Sequence, residues 1–133
     1  MNAVFLDTVG LIAVWDASDQ WHVAASAAYL KLLSQGRPLV TTNLVLLECG
    51  NASARRPYRP RVNALRQLLI QEQLWVEATP QEIDMAWAAY DRGEAGDAGI
   101  VDHVSFVVMR RLGITEAFTN DRHFQAAGFT LLF

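Results

Sequence analysis

The amino-acid sequence predicts an α/β fold around a mostly parallel central sheet of four to five strands, on three observations. Short apolar runs of strand length recur along the chain, at residues 2–6, 38–42, 74–78, 117–119 and 129–133. Between them lie longer stretches whose apolar residues fall at helical spacing. Helix punctuation stands at the junctions, with Gly36 and Gly113 as stops and Thr79-Pro80-Gln81-Glu82 as a start. Strands alternating with helices imply layers packed on a parallel sheet, whose functional groups gather at the carboxyl ends of the strands.

Taken in order, residues 2–6 read as a short buried strand closed by Asp7, and residues 8–20 are given no regular element. Val23, Ala24, Ala27, Leu30 and Leu33 mark the apolar face of a helix over 21–35, stopped by Gly36. After the second strand, Asn43 is a good N-cap for a helix that carries Glu48 and runs to about Ala54. Pro57 and Pro60 make 55–60 a loop, and a further helix runs from about Val62 to Gln73. Beyond the third strand, Thr79 caps a helix with Pro80 at its first position and Glu82 three residues after the cap; it ends near Gly93. The stretch from Gly93 to Gly99 is a loop, and Ile100 to Leu112 is a buried helix stopped by Gly113.

With 133 residues and no linker, repeat or low-complexity tract, the chain is expected to form one domain over residues 1–133. Apolar residues at 52% against 19% charged ones argue against disorder. The single Cys49 excludes an internal disulfide and a cysteine-based zinc site, and fits a reducing cytoplasmic setting. No signal peptide is recognised, and no apolar run approaches the roughly 20 residues needed to cross a bilayer. The net charge of −3 hides an uneven distribution: Arg55, Arg56, Arg59, Arg61 and Arg66 fall in one short stretch, an acidic protein with a local basic border.

Five acids stand beside core-forming sequence. Asp7 closes the first strand, Glu48 interrupts Leu44-Val45-Leu46-Leu47, Asp97 and Asp102 bracket the start of the segment from Ile100 to Met109, and Asp121 follows the strand-like 117–119. Singly, Asp7, Asp97 and Asp121 read as caps or turn residues. Asp102 suits the positive end of a helix, and Glu48 suits an ion pair with an arginine. Together they describe carboxylates that would converge and repel unless a hard divalent cation, Mg²⁺ or Mn²⁺, held them. Glu82 and the other acids read as solvated faces or turns.

The motifs then become recognisable. Asp97-Ala98-Gly99-Ile100-Val101-Asp102-His103-Val104-Ser105-Phe106 and Thr119-Asn120-Asp121-Arg122-His123-Phe124, with Leu6-Asp7-Thr8 and Leu47-Glu48 earlier, resemble PIN-domain ribonucleases over nearly the whole chain. The likeness is strongest to the VapC-like toxins of toxin–antitoxin pairs. The resemblance implies a PIN-like three-layer sandwich and a metal-dependent endoribonuclease. Asp7, Glu48 and Asp102 match the family's metal-holding acids, with Asp97 and Asp121 as further positions. Thr8, and less closely Ser105, match hydroxyl residues near the metal. Val9 and Ala98 depart from the family's usual residues without removing a ligand.

Carried over, the resemblance implies hydrolysis of RNA phosphodiester bonds with Mg²⁺ or Mn²⁺, using Asp7, Glu48, Asp102 and Asp121 as the catalytic acids. It implies RNA as substrate, an antitoxin partner and a homodimer; the lack of a long apolar run implies no membrane. The arginines of 55–66 suit an RNA backbone, an acidic antitoxin segment or plain solvent. Trp15 and Trp21 flank a loop and suit an interface, Trp75 and Trp87 suit the core, and His22, His103 and His123 read as structural or surface residues. The alternatives are a non-catalytic PIN-like binding module and a metal-dependent enzyme acting on another phosphoester. A receiver-type domain is excluded because Lys31, the sole lysine, does not end a late strand.

Overall fold

The computed structural model describes residues 2–133. Five strands, β1 (Val4–Leu6), β2 (Leu39–Thr42), β3 (Trp75–Val76), β4 (Glu116–Phe118) and β5 (Thr130–Leu131), form a sheet in the order β3-β2-β1-β4-β5. Every pairing is parallel. Among the described residues seven helices flank it: α1 (Thr8–Trp15), α2 (His22–Ser34), α3 (Asn43–Ser53), α4 (Pro60–Gln71), α5 (Pro80–Asp91), α6 (Ile100–Leu112) and α7 (Arg122–Ala126). This is the expected α/β architecture, with five strands.

The strand order positions the site. From β1 the chain winds outward through β2 to β3, then returns across the sheet to β4 and winds the other way to β5. For this strand order the right-handed crossover rule assigns α1–α4 to one face and α5–α7 to the other. The winding reverses between β1 and β4, and the crevice at such a switch point is where open α/β sheets place their chemistry. Val4, Phe5 and Leu6 are all fully buried, as a central parallel strand covered on both faces requires. Phe5, Phe118, Phe124 and Met109 fill the main core, while Ala86, Val104 and Val108 form a smaller one between α5 and α6.

Several expectations need correction. Residues 8–15 and 122–126 are helical, although no element is assigned there from sequence. In α1, Val9, Ile12, Val14 and Gly10 lower the intrinsic helix preference, so its helicity comes from tertiary packing. Gly10 shows how close that packing is: a Cβ there would lie 2.1 Å from the Phe118 carbonyl oxygen. Thr42, not Asn43, caps α3, accepting from the Val45 N–H at 3.2 Å; the Asn43 side chain instead accepts from the Ala78 N–H. On α2 the spacing names the wrong face: Val23 is 81% exposed and Leu30 and Leu33 lie outside, while Ala25 and Leu32 are buried. Trp87 is likewise exposed, edge-on to Tyr90.

Candidate active site

The carboxyl ends of β1 and β4 carry the first two acids. Asp7 follows β1, and Thr119 and Asp121 follow β4, adjacent strands whose register pairs Leu6 with Phe118. Asp7 is 1% exposed. Its Oδ2 accepts from the Thr119 Oγ1 at 2.8 Å, and that same hydroxyl accepts from the Asp121 N–H at 3.0 Å. Thr119, itself fully buried, thus ties the two strand ends together. Sequence reasoning gave it no role; its signal was a hydroxyl at the last buried position before Asp121.

The helices deliver the rest. Glu48 lies one and a half turns into α3, where its Oε1 accepts a 2.5 Å hydrogen bond from the Thr8 Oγ1 on α1. It is half-buried, and its partner is a threonine rather than an arginine; Leu47, in the apolar run that Glu48 interrupts, is exposed. Asp102 sits in the first turn of α6, half-buried. Asp121 caps α7, accepting from the His123 N–H at 2.9 Å and from the His123 Nδ1 at 2.8 Å.

His123 is the larger correction, since it belongs to the cluster. Its Nε2 donates to Asp97 at 2.6 Å, so the ring bridges two carboxylates, and its pKa is raised, first by the bond to Asp97. The Asp97 side chain is 97% exposed and reaches the cluster only through this ring. The Ser105 Oγ donates to the Val101 carbonyl within α6. His103 is buried between Tyr90 and Phe106.

Burial pushes the Asp7 carboxyl up to about 7, and the Asp102 and Asp121 charges add to it against the Thr119 hydrogen bond. Asp102 is pushed up to about 6, first by burial, then by the charges of Asp121 and Glu48. Asp7, Glu48, Asp102 and Asp121 therefore form one electrostatic cluster; no arginine or lysine among the ion pairs of the described residues meets it, and its basic neighbour is His123, at Asp121. Ligand atoms of Asp102, Asp121 and His123 lie within 4.8 Å of one another. Oxygen donors short of positive charge, with one imidazole beside them, fit a hard divalent cation.

The arginines of 55–66 divide. Arg56 pairs with Asp16 at 3.0 Å and lines, with Arg61, Trp15 and Tyr58, a cleft of about 480 Å³. Arg59 and Arg66 border a second cleft with Leu47 and Trp75, the Arg66 guanidinium 5.8 Å from the Trp75 ring centre. Arg55 is exposed.

Comparison with known proteins follows the same lines. The family model of the PIN domain matches residues 4–130. The 23S rRNA-specific endonuclease VapC20 of Mycobacterium tuberculosis, in two strains, is 31% identical over 128 residues, covering 95% of either chain. The crystal structure of Mycobacterium tuberculosis VapC20, described as a sarcin–ricin loop cleaving toxin, superposes with a TM-score of 0.80 at 29% identity, covering 96% of both chains.

Proposed function

The chain belongs to the PIN-domain family, and from that premise we propose that it is a divalent-metal-dependent endoribonuclease, the toxin of a toxin–antitoxin pair. The observation that carries the reading is the cluster of four acids at the β1/β4 switch point, two of them with carboxyls raised to about 7 and about 6 by burial and by one another's charge. The whole chain, residues 1–133, acts as one PIN domain. Its first substrate to test is a structured loop of 23S rRNA, the target its relative's name gives.

Asp7 and Asp102 hold the ion directly, with Glu48 and Asp121 completing the site. When bound, Mg²⁺ or Mn²⁺ supplies charge stabilisation at the phosphoryl group and a water acidic enough to attack at neutral pH. The remaining work is done by side chains that position the acids. Thr119 orients Asp7 and fixes the backbone entering Asp121. Thr8 holds Glu48, and His123, anchored outside by Asp97, holds Asp121. The exposed Arg55, Arg59 and Arg61, and Arg56 at its ion pair, offer contacts along the RNA backbone or to an acidic antitoxin segment. A homodimer and a cytoplasmic setting complete the proposal; no helix among the described residues is long and apolar enough to cross a membrane.

The test is cleavage of a 23S rRNA fragment and a mixed RNA panel with Mg²⁺, with Mn²⁺ and with chelator, for wild type, Asp7→Asn and Asp102→Asn. Metal-dependent cuts absent from both variants are expected. Cuts that survive chelator or both substitutions would refute the assignment.

A further inference from the structure

A cleft of about 350 Å³ opens between the start of α2 and the chain from α7 to the C-terminus, lined by Trp21, Asn120, Arg122, Gln125, Leu131 and Phe133. Two of its lining residues, Asn120 and Arg122, flank Asp121 of the acid cluster in the chain. We propose that this cleft is the subsite for the nucleotide next to the scissile phosphate. The base stacks on Trp21, its polar edge meets the carboxamides of Asn120 and Gln125, and its phosphate meets Arg122. The inference rests on the nuclease reading and deepens it.

The lining carries the three contacts by which proteins take an unpaired nucleotide: an aromatic face, amides that read a base edge, and a cation for the backbone. Arg122 is exposed and has no ion-pair partner among the described residues. Trp21 is 46% exposed, a large ring left partly in water. The backbone that carries it is held in place. The Trp21 backbone N–H donates to the Asp19 carboxylate at 2.8 Å, and the adjoining His22 Nδ1 donates to the Ala13 carbonyl at 2.8 Å. In the same loop Asp16 accepts from the Ser18 N–H and hydroxyl. A loop held by its own hydrogen bonds loses little backbone freedom on binding. The cation and the two amides beside the acid cluster favour RNA over an apolar protein contact, for which Leu131 and Phe133 alone would be suited.

The experiment measures KM, kcat and cut-site sequence on a sarcin–ricin loop fragment and on mixed single-stranded RNA. It compares wild type, Trp21→Ala, Trp21→Phe and Gln125→Ala, with melting curves to verify folding. Loss of one stacked base predicts a KM about 10- to 100-fold higher for Trp21→Ala, with kcat within about 3-fold and Trp21→Phe close to wild type. Gln125→Ala, at an exposed position, should broaden base preference on one side of the cut, and carries the test should Trp21→Ala unfold. An active wild type whose KM and cut sites are unmoved by these substitutions would overturn the subsite alone. So would a change of oligomeric state in Trp21→Ala at unchanged KM, which would mark a protein contact. A wild type that cuts no RNA would overturn the nuclease reading and the subsite with it.

Discussion

Glu82 and Asp7 are both buried carboxylates, 5% and 1% exposed, yet their surroundings push them in opposite directions. Glu82 closes a capping box, accepting from the Thr79 N–H at 2.9 Å, and meets the Arg111 guanidinium at 2.6 and 3.1 Å. Arg111 and the cap hold its carboxyl below the usual range. Asp7 has one hydroxyl partner and two acidic neighbours, and rises to about 7. Burial is common to both; a compensating charge is present at one and missing at the other. The first is an acid that holds a helix in place, the second an acid kept ready for a cation.

The largest difference should appear in activity. Asp7→Asn is expected to reduce metal-dependent RNA cleavage by on the order of 10³-fold or more, as loss of metal-based stabilisation implies. Glu82→Gln should leave kcat within about 2-fold of wild type. Equal losses in the two variants, measured as initial rates, would erase the contrast.

Stability should respond with opposite signs. Without divalent ions at pH 8, Asp7→Asn is expected to stabilise the protein, by at most about 4 kcal/mol if the whole rise in its carboxyl pKa is recovered. Glu82→Ala should destabilise it by about 2 kcal/mol, through loss of the cap and of a half-exposed ion pair. Urea unfolding of the two variants reads both signs at once.

The pH dependence sharpens the comparison. Asp7 and Asp102 titrate higher in the folded chain than in the unfolded one, so the folded state binds more protons between about pH 4 and pH 7. Their contribution is full below about pH 4 and is lost as the pH rises through about 6 and about 7. Glu82 is lowered on folding, so its contribution is present above its ordinary value of 4.5 and is lost as the pH falls through its folded value. Ion-free wild type should therefore be less stable at pH 8 than at pH 5, and Asp7→Asn should flatten most of that slope. A slope unchanged in the variant would place its origin elsewhere.

The smallest expected effect belongs to the positioning hydroxyl. Thr119→Val removes the donor to Asp7 and is expected to reduce kcat by about 10-fold with KM nearly constant. An unaltered kcat would make Thr119 merely part of the core.

Much of this was legible in the sequence because it rests on local chemistry. The Thr79-Pro80-Gln81-Glu82 start and the Gly113 stop follow from backbone requirements, and both stand where expected, with Gly113 at φ 69°. The acids of the cluster were legible by position: Asp7 at a strand end, Asp102 in a first turn, Asp121 after β4. What escaped depends on packing between distant segments. α1 is helical because Gly10 lets it sit against Phe118, a contact no local pattern encodes. Glu82 reads as solvated until Arg111, 29 residues away, closes over it. The partners His123 gains at Asp97 and Thr119 gains at Asp7 likewise span 26 and 112 residues. On α2, periodicity marked an apolar face but could not say whether the core or solvent receives it.

The most direct measurement is the thermal midpoint of wild type and Asp7→Asn at pH 8, each with chelator and with Mg²⁺. A cluster of mutually repelling acids that receives a cation predicts that Asp7→Asn melts higher in chelator and that Mg²⁺ raises wild type by several degrees, closing the gap, with little effect on the variant. Equal Mg²⁺ shifts in both proteins, or none in wild type, would contradict it.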